Sequence, residues 1–138
     1  MMFESVSILA IVGSGIVSMI LGYIWYGPLF GKIWSELQGW SADQMKAKQS
    51  QSMMKSYGMM FVGSLVLAAV LGMFARTVGA LTITDGLMVG FWAWLGFALP
   101  LLLSSVLWEG KSWKLYALNA GYNLVQFAII GAIVTLWG

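Results

Sequence analysis

The stretch from residue 113 to 137, WKLYALNAGYNLVQFAIIGAIVTLW, decides the fold. Its single charge is Lys114, close to the start. Coiled as an α-helix at about 1.5 Å per residue it is roughly 37 Å long, enough to cross a hydrocarbon layer of about 30 Å. At about 100° per residue, Tyr116, Asn119, Asn123 and Gln126, with Tyr122 at the edge, share one face. Ala117, Gly121, Ala128 and Ala132 fall on the opposite one. Asn123 and Gln126 lie near mid-span, where an amide turned to lipid is costly, so this face is expected to point at protein or at a water-filled cavity.

Working outward, three further windows have the same character, at about 5–26, 57–76 and 85–108. None carries a charge near its centre, and the runs are continuous rather than alternating. Lipid leaves backbone polar groups only helices or closed barrels, so helices are expected. The reading is an all-α polytopic membrane protein, residues 1–138 forming one domain of four transmembrane helices. The first window lacks a preceding Lys or Arg and a following small-residue cleavage motif, and is expected to be a retained span rather than a signal peptide.

Composition agrees, with 60% hydrophobic and 9% charged residues. A net charge of +2 is too small and scattered for a nucleic-acid footprint. Without Cys or His there are no disulfides and none of the common zinc and haem ligands, and no cofactor or metal is expected.

The connection between spans 1 and 2 is polar through Lys32, Glu36, Asp43, Lys46 and Lys48. Leu29, Phe30, Ile33, Trp34 and Leu37 nevertheless draw an apolar stripe, the pattern of a short interfacial helix. Gly39 is expected to end it, and Ser41 with Gln44 resembles a capping box opening a helix that runs into span 2. Lys32, Lys46, Lys48, Lys55, Lys111 and Lys114 flank one end of the spans and Arg76 alone the other. Basic residues are retained in the cytoplasm, so the 1–2 and 3–4 connections are expected there and both termini outside, in a cell (inner) membrane. Trp25, Tyr26, Trp34, Trp40, Tyr57, Trp108 and Trp113 then crowd the cytoplasmic interface.

Each span carries small residues at helical spacing: Ser14, Ser18 and Gly22; Ser64, Ala68 and Gly72; Gly86, Gly90 and Ala93; and the series in span 4. Such lines signal close helix packing, with surface left for a homo-oligomer, a dimer being favoured. Pro100 removes a backbone donor from span 3 and predicts a kink. Asp85, in Thr82-Ile83-Thr84-Asp85-Gly86, reads as part of a helix N-terminus. Glu109 with Lys32 and Lys111 forms a candidate interfacial charged cluster. An echo of Trp25, Gly27, Lys32 and Trp34 in Trp108, Gly110, Lys111 and Trp113 raises an internal duplication. Met53, Met54, Met59 and Met60 suit core packing better than a copper site.

Trp25-Tyr26-Gly27-Pro28-Leu29-Phe30-Gly31-Lys32-Ile33-Trp34, Trp94-Leu95-Gly96-Phe97, Glu109-Gly110-Lys111 and Leu118-Asn119-Ala120-Gly121-Tyr122-Asn123-Leu124-Val125 together resemble the domain-of-unknown-function family numbered 1761, small bacterial and archaeal membrane proteins. The likeness runs over nearly the whole chain. It implies four spans and supplies no activity, substrate or cofactor. In the family pattern the position after the Gly-Tyr pair is often His; here it is Asn123, so no titrating role carries over.

Two functional classes follow. One is a small homo-oligomeric transporter or channel for neutral or weakly polar solutes, with a polar midplane site of Asn119, Tyr122, Asn123, Gln126, Ser14 and Ser18. The same residues also suit interhelical hydrogen bonding that sets register. The other is a non-catalytic accessory, scaffold or lipid-binding protein working through the first connection. An enzyme has the weakest case, because the acids sit at span ends and no nucleophile and base fall together.

Overall fold

The computed structural model describes residues 7–38 and 53–137. Among these residues, four helices are long and apolar enough to cross a bilayer: Ile8–Leu29, Tyr57–Thr77, Ile83–Leu107 and Trp113–Leu136. They form an antiparallel bundle, and the protein is an all-α polytopic membrane protein. Its outward surface carries Ile16, Ile20, Val62, Val66, Leu87, Trp92 and Leu101, all exposed. A water-soluble bundle would place polar side chains there, and apolar surface on this scale needs hydrocarbon around it.

The core is small and made largely of small side chains. Ala10, Ala68, Leu71, Ala75, Ala93, Ile130 and Val134 form its buried cluster. Closest of all is the contact between spans 3 and 4. A Cβ added to Gly90 would strike the Phe127 carbonyl oxygen, one on Gly86 would meet the Gly131 carbonyl and the Ala132 Cα, and one on Gly131 would strike the Gly86 carbonyl. The Gly86-x-x-x-Gly90 pair thus lets two backbones touch along Ala128, Gly131 and Ala132. Two of the small-residue lines expected from sequence are therefore contact faces. Ala117 departs from its line and is exposed.

The ends are built by local rules. Ser7 caps span 1, its Oγ accepting from the Ala10 N–H at 3.4 Å. Span 2 closes in a Schellman turn, with Ala80 N–H on the Ala75 carbonyl, Gly79 N–H on that of Arg76, and Gly79 at φ +73°. Span 3 opens on a capping box: the Thr82 hydroxyl accepts from Asp85 N–H, and the Asp85 carboxylate accepts from the N–H groups of Thr82 and Leu81. The helix starts at Ile83 with Thr82 as its cap, and Asp85 stands in its first turn as the sequence led us to expect.

Two spans are interrupted. Span 1 does not stop at Gly27-Pro28 but widens into a π-turn, Trp25–Leu29, before the short helix Gly31–Gln38. Span 3 widens in the same way at Trp94–Ala98, continues as Leu99–Leu102, and breaks again before Ser104–Leu107. Both turns close on a tryptophan carbonyl five residues back, from Phe30 N–H to Trp25 and from Leu99 N–H to Trp94. The prolines explain why. Neither Pro28 nor Pro100 has an N–H to continue the ladder, and a wider turn absorbs the mismatch. A further likeness joins Trp25-x-Gly27 to Trp94-x-Gly96, each opening a π-turn, in spans 1 and 3. The expected boundary at Gly39, the Ser41–Gln44 box and Trp40, Asp43, Lys46 and Lys48 lie outside the described residues.

Gly90→Ala is expected to lower stability by about 1–3 kcal/mol through overpacking. Gly63→Ala, where nothing lies within 4 Å of the added carbon, leaves stability unchanged or slightly higher. Thermal unfolding in detergent compares the two, and equal midpoints would refute the backbone contact.

Candidate functional site

The polar face of span 4 turns inward. Tyr122 is 6% exposed and Gln126 9%, while Asn119 and Asn123 are half-buried. Opposite them on span 1, Ser14 and Ser18 are 0% and 2% exposed, and Ser64 on span 2 is buried too. Tyr122, Gln126 and the three serines are buried within the bundle, and the structure joins several of these groups. Tyr122 O–H donates to the Ser18 carbonyl at 3.3 Å, over Gly22, where an added Cβ would stand 3.2 Å from the tyrosine oxygen. Asn123 Nδ2 donates to the Asn119 carbonyl at 3.0 Å. The Asn119 Oδ1 accepts from the Tyr26 hydroxyl at 2.7 Å. The hydroxyls of Ser14 and Ser18 are buried with no hydrogen-bond partner.

Span 4 is also held from both sides by indoles. Trp25 Nε1 donates to the Leu118 carbonyl at 3.2 Å, and Trp94 Nε1 to the Ala120 carbonyl at 2.8 Å. A helical carbonyl keeps a lone pair after its ladder bond, so it can take a second donor, and an indole N–H in an apolar bundle needs one. Both tryptophans begin a π-turn. With Asn123 on the carbonyl between them, three successive carbonyls of span 4 each receive a side-chain N–H. Gly121 makes room, a Cβ there lying 3.3 Å from the Trp25 ring. Tyr116 O–H reaches the Leu99 carbonyl at 3.1 Å, just past the second turn.

Beside this strip lies a pocket of about 470 Å³ lined by Met19, Gly22, Tyr23, Tyr26, Gly27, Trp34, Tyr57 and Met60. Spans 1 and 2 and the short helix after span 1 form its walls, at the end of the bundle bearing Lys32, Lys111 and Lys114. Tyr26 stands between pocket and polar strip, its ring 5.4 Å from Trp34 and 5.2 Å from Tyr122. Of the candidate charged cluster, Lys32 is exposed on the short helix and Glu109 is exposed in the turn before span 4, which Gly110 reverses at φ +71°. They stand on separate elements. Lys111 N–H closes that turn on the Ser105 carbonyl.

Sequence reasoning placed Trp25, Tyr26, Trp34 and Tyr57 in an interfacial belt and did not see that two of them bond span 4 or that three line a recess. Met19, Tyr23 and Trp94 were missed as site residues. The available signal was the Trp-x-Gly repeat ahead of Pro28 and Pro100.

Four apolar helices around a buried polar strip, with a recess at one end, define a polytopic helical membrane protein. A family model described as Protein of unknown function (DUF1761) matches residues 9–135, and the chain belongs to that family. Comparison with curated proteins and with solved structures finds no match.

Asn119→Leu strands the Tyr26 hydroxyl and is expected to cost about 1–3 kcal/mol. Tyr26→Phe in the same chain should recover most of that loss, as read by denaturation in micelles. A double variant no more stable than Asn119→Leu alone would show that the pair is not coupled.

Proposed function

We propose that the protein is a small transporter or channel for neutral or weakly polar solutes, working as a homo-oligomer, with a dimer as the simplest closed form. The observation that carries this reading is continuity. The recess at the lysine-bearing end stops at Tyr26, and directly behind Tyr26 lie Asn119, Tyr122, Asn123 and Gln126, facing Ser14 and Ser18. The Ser14 and Ser18 hydroxyls keep hydrogen-bonding capacity beside this strip. A solute leaving the recess would exchange its hydrogen bonds with this strip once the Tyr26–Asn119 and Tyr122–Ser18 bonds open. The lack of any formal charge along the strip suits uncharged solutes, because a bare ion there would meet no counter-charge. The groove of about 170 Å³ between Gly13 and Val17 of span 1 and Ile133 and Leu136 of span 4 offers a face for a second copy.

A lipid-binding accessory role is the second reading, favoured by the mainly apolar walls of the recess and its position beside an amphipathic helix. Liposomes containing the purified chain separate the two. Transport predicts flux of uncharged solutes above empty liposomes that falls at least tenfold in Asn123→Leu; the absence of flux across a broad neutral panel leaves only the accessory reading.

In the orientation we infer, the lysine-bearing end is cytoplasmic and both termini lie outside the cell membrane, in accord with the distribution of Lys and Arg. The chain has no native Cys, so single replacements report directly. In intact cells an impermeant maleimide should label Leu81→Cys and spare Ser112→Cys. Labelling of Ser112→Cys alone would invert the topology.

A further inference from the structure

The recess has a composition that narrows its occupant. Four of its lining residues are aromatic, Tyr23, Tyr26, Trp34 and Tyr57, and two are methionines, Met19 and Met60. No charged side chain is among them. Met19 lies ten residues before the end of span 1, so the recess extends about 15 Å along the helix from the interface, roughly half the hydrocarbon thickness. A saturated acyl chain would be served as well by Leu and Ile, whereas Tyr and Trp faces and edges, with thioethers beside them, favour a flat ring. The same rings would also attract a cation. Against that stand the lack of a carboxylate among the described lining residues and the excess of Lys32, Lys111 and Lys114 over Glu36 and Glu109 at this end, which raises the local potential.

We propose that the recess binds a neutral, flat, ring-bearing amphiphile, its ring held among Tyr23, Tyr26, Trp34 and Tyr57 at the membrane interface. This rests on the transport reading only in naming the substrate class of the same site. The Tyr26 hydroxyl is already a donor to Asn119, so toward the recess its oxygen offers lone pairs. A ring carrying an O–H or N–H is therefore preferred over one without a donor. Tyr57, 42% exposed at the start of span 2, is a wall residue that can be replaced without touching the buried core.

The test uses the full chain in nanodiscs, with empty nanodiscs to subtract partitioning. The probes are 1-naphthol as the neutral ring with a donor, 1-methoxynaphthalene as the same ring without one, tetraphenylphosphonium as the cation and n-decanol as the saturated chain. Saturable naphthol binding, at least tenfold weaker in Tyr57→Leu, together with weaker methoxynaphthalene binding and no saturable phosphonium binding, is the expected result. Saturable phosphonium binding, naphthol displacement by decanol at equal concentration, or naphthol binding unchanged in Tyr57→Leu would each overturn the assignment. Flux is measured separately. Binding without flux sinks transport and leaves the ligand class standing, while flux unaffected by Tyr57→Leu does the reverse.

Discussion

Everything in this bundle depends on two backbones being allowed to touch. In lipid there is no hydrophobic gain from bringing helices together, since the tails are as apolar as the side chains, so association rests on close packing and on polar pairing. Gly86 and Gly90 supply the first against Gly131, Ala128 and Ala132. Spans 3 and 4 pack backbone to backbone, and span 4 is held where the others can reach it. Without that approach, Trp94 could not bring its indole to the Ala120 carbonyl.

The polar pairing then falls on one short segment. The carbonyls of Leu118, Asn119 and Ala120 accept side-chain N–H groups, and the Asn119 amide accepts a tyrosine hydroxyl. Each bond is individually modest, of order 0.6 kcal/mol on average for membrane bundles. Their value is geometric. They tie spans 1 and 3 to span 4 at the level where both widen into π-turns, irregularities that recur at functional sites in helices. The aromatic recess lies on one side of that level and the buried serines on the other.

That arrangement brings uncharged polar and aromatic groups together along the strip and the recess. Its chemistry is hydroxyl, amide, thioether and aromatic ring, all uncharged. Tyr26 links the two regions, because one side chain both walls the recess and bonds Asn119. Lys32, Lys111 and Lys114 are not among the described lining residues of the recess.

How much of this could be read beforehand varies by residue. Run length and the hydrocarbon thickness alone require four helices, and the cost of a lipid-facing amide alone turns Asn123 and Gln126 inward. The small residues of spans 3 and 4 announce a close contact because only Gly and Ala permit one. Those features follow from local composition and from the solvent, which every residue meets in the same way. The partners do not. That Trp25 bonds Leu118 across 93 positions, that Tyr26 rather than a serine completes Asn119, and that Tyr57 joins Tyr23 and Trp34 in a recess all depend on how the spans rotate and slide against one another. Rotation and slide are set by packing summed over the bundle, and two proline-driven π-turns shift the register in ways a uniform helical period cannot anticipate. The sequence by itself therefore determined the spans and which groups must hide, and the tertiary structure decided what they hide against.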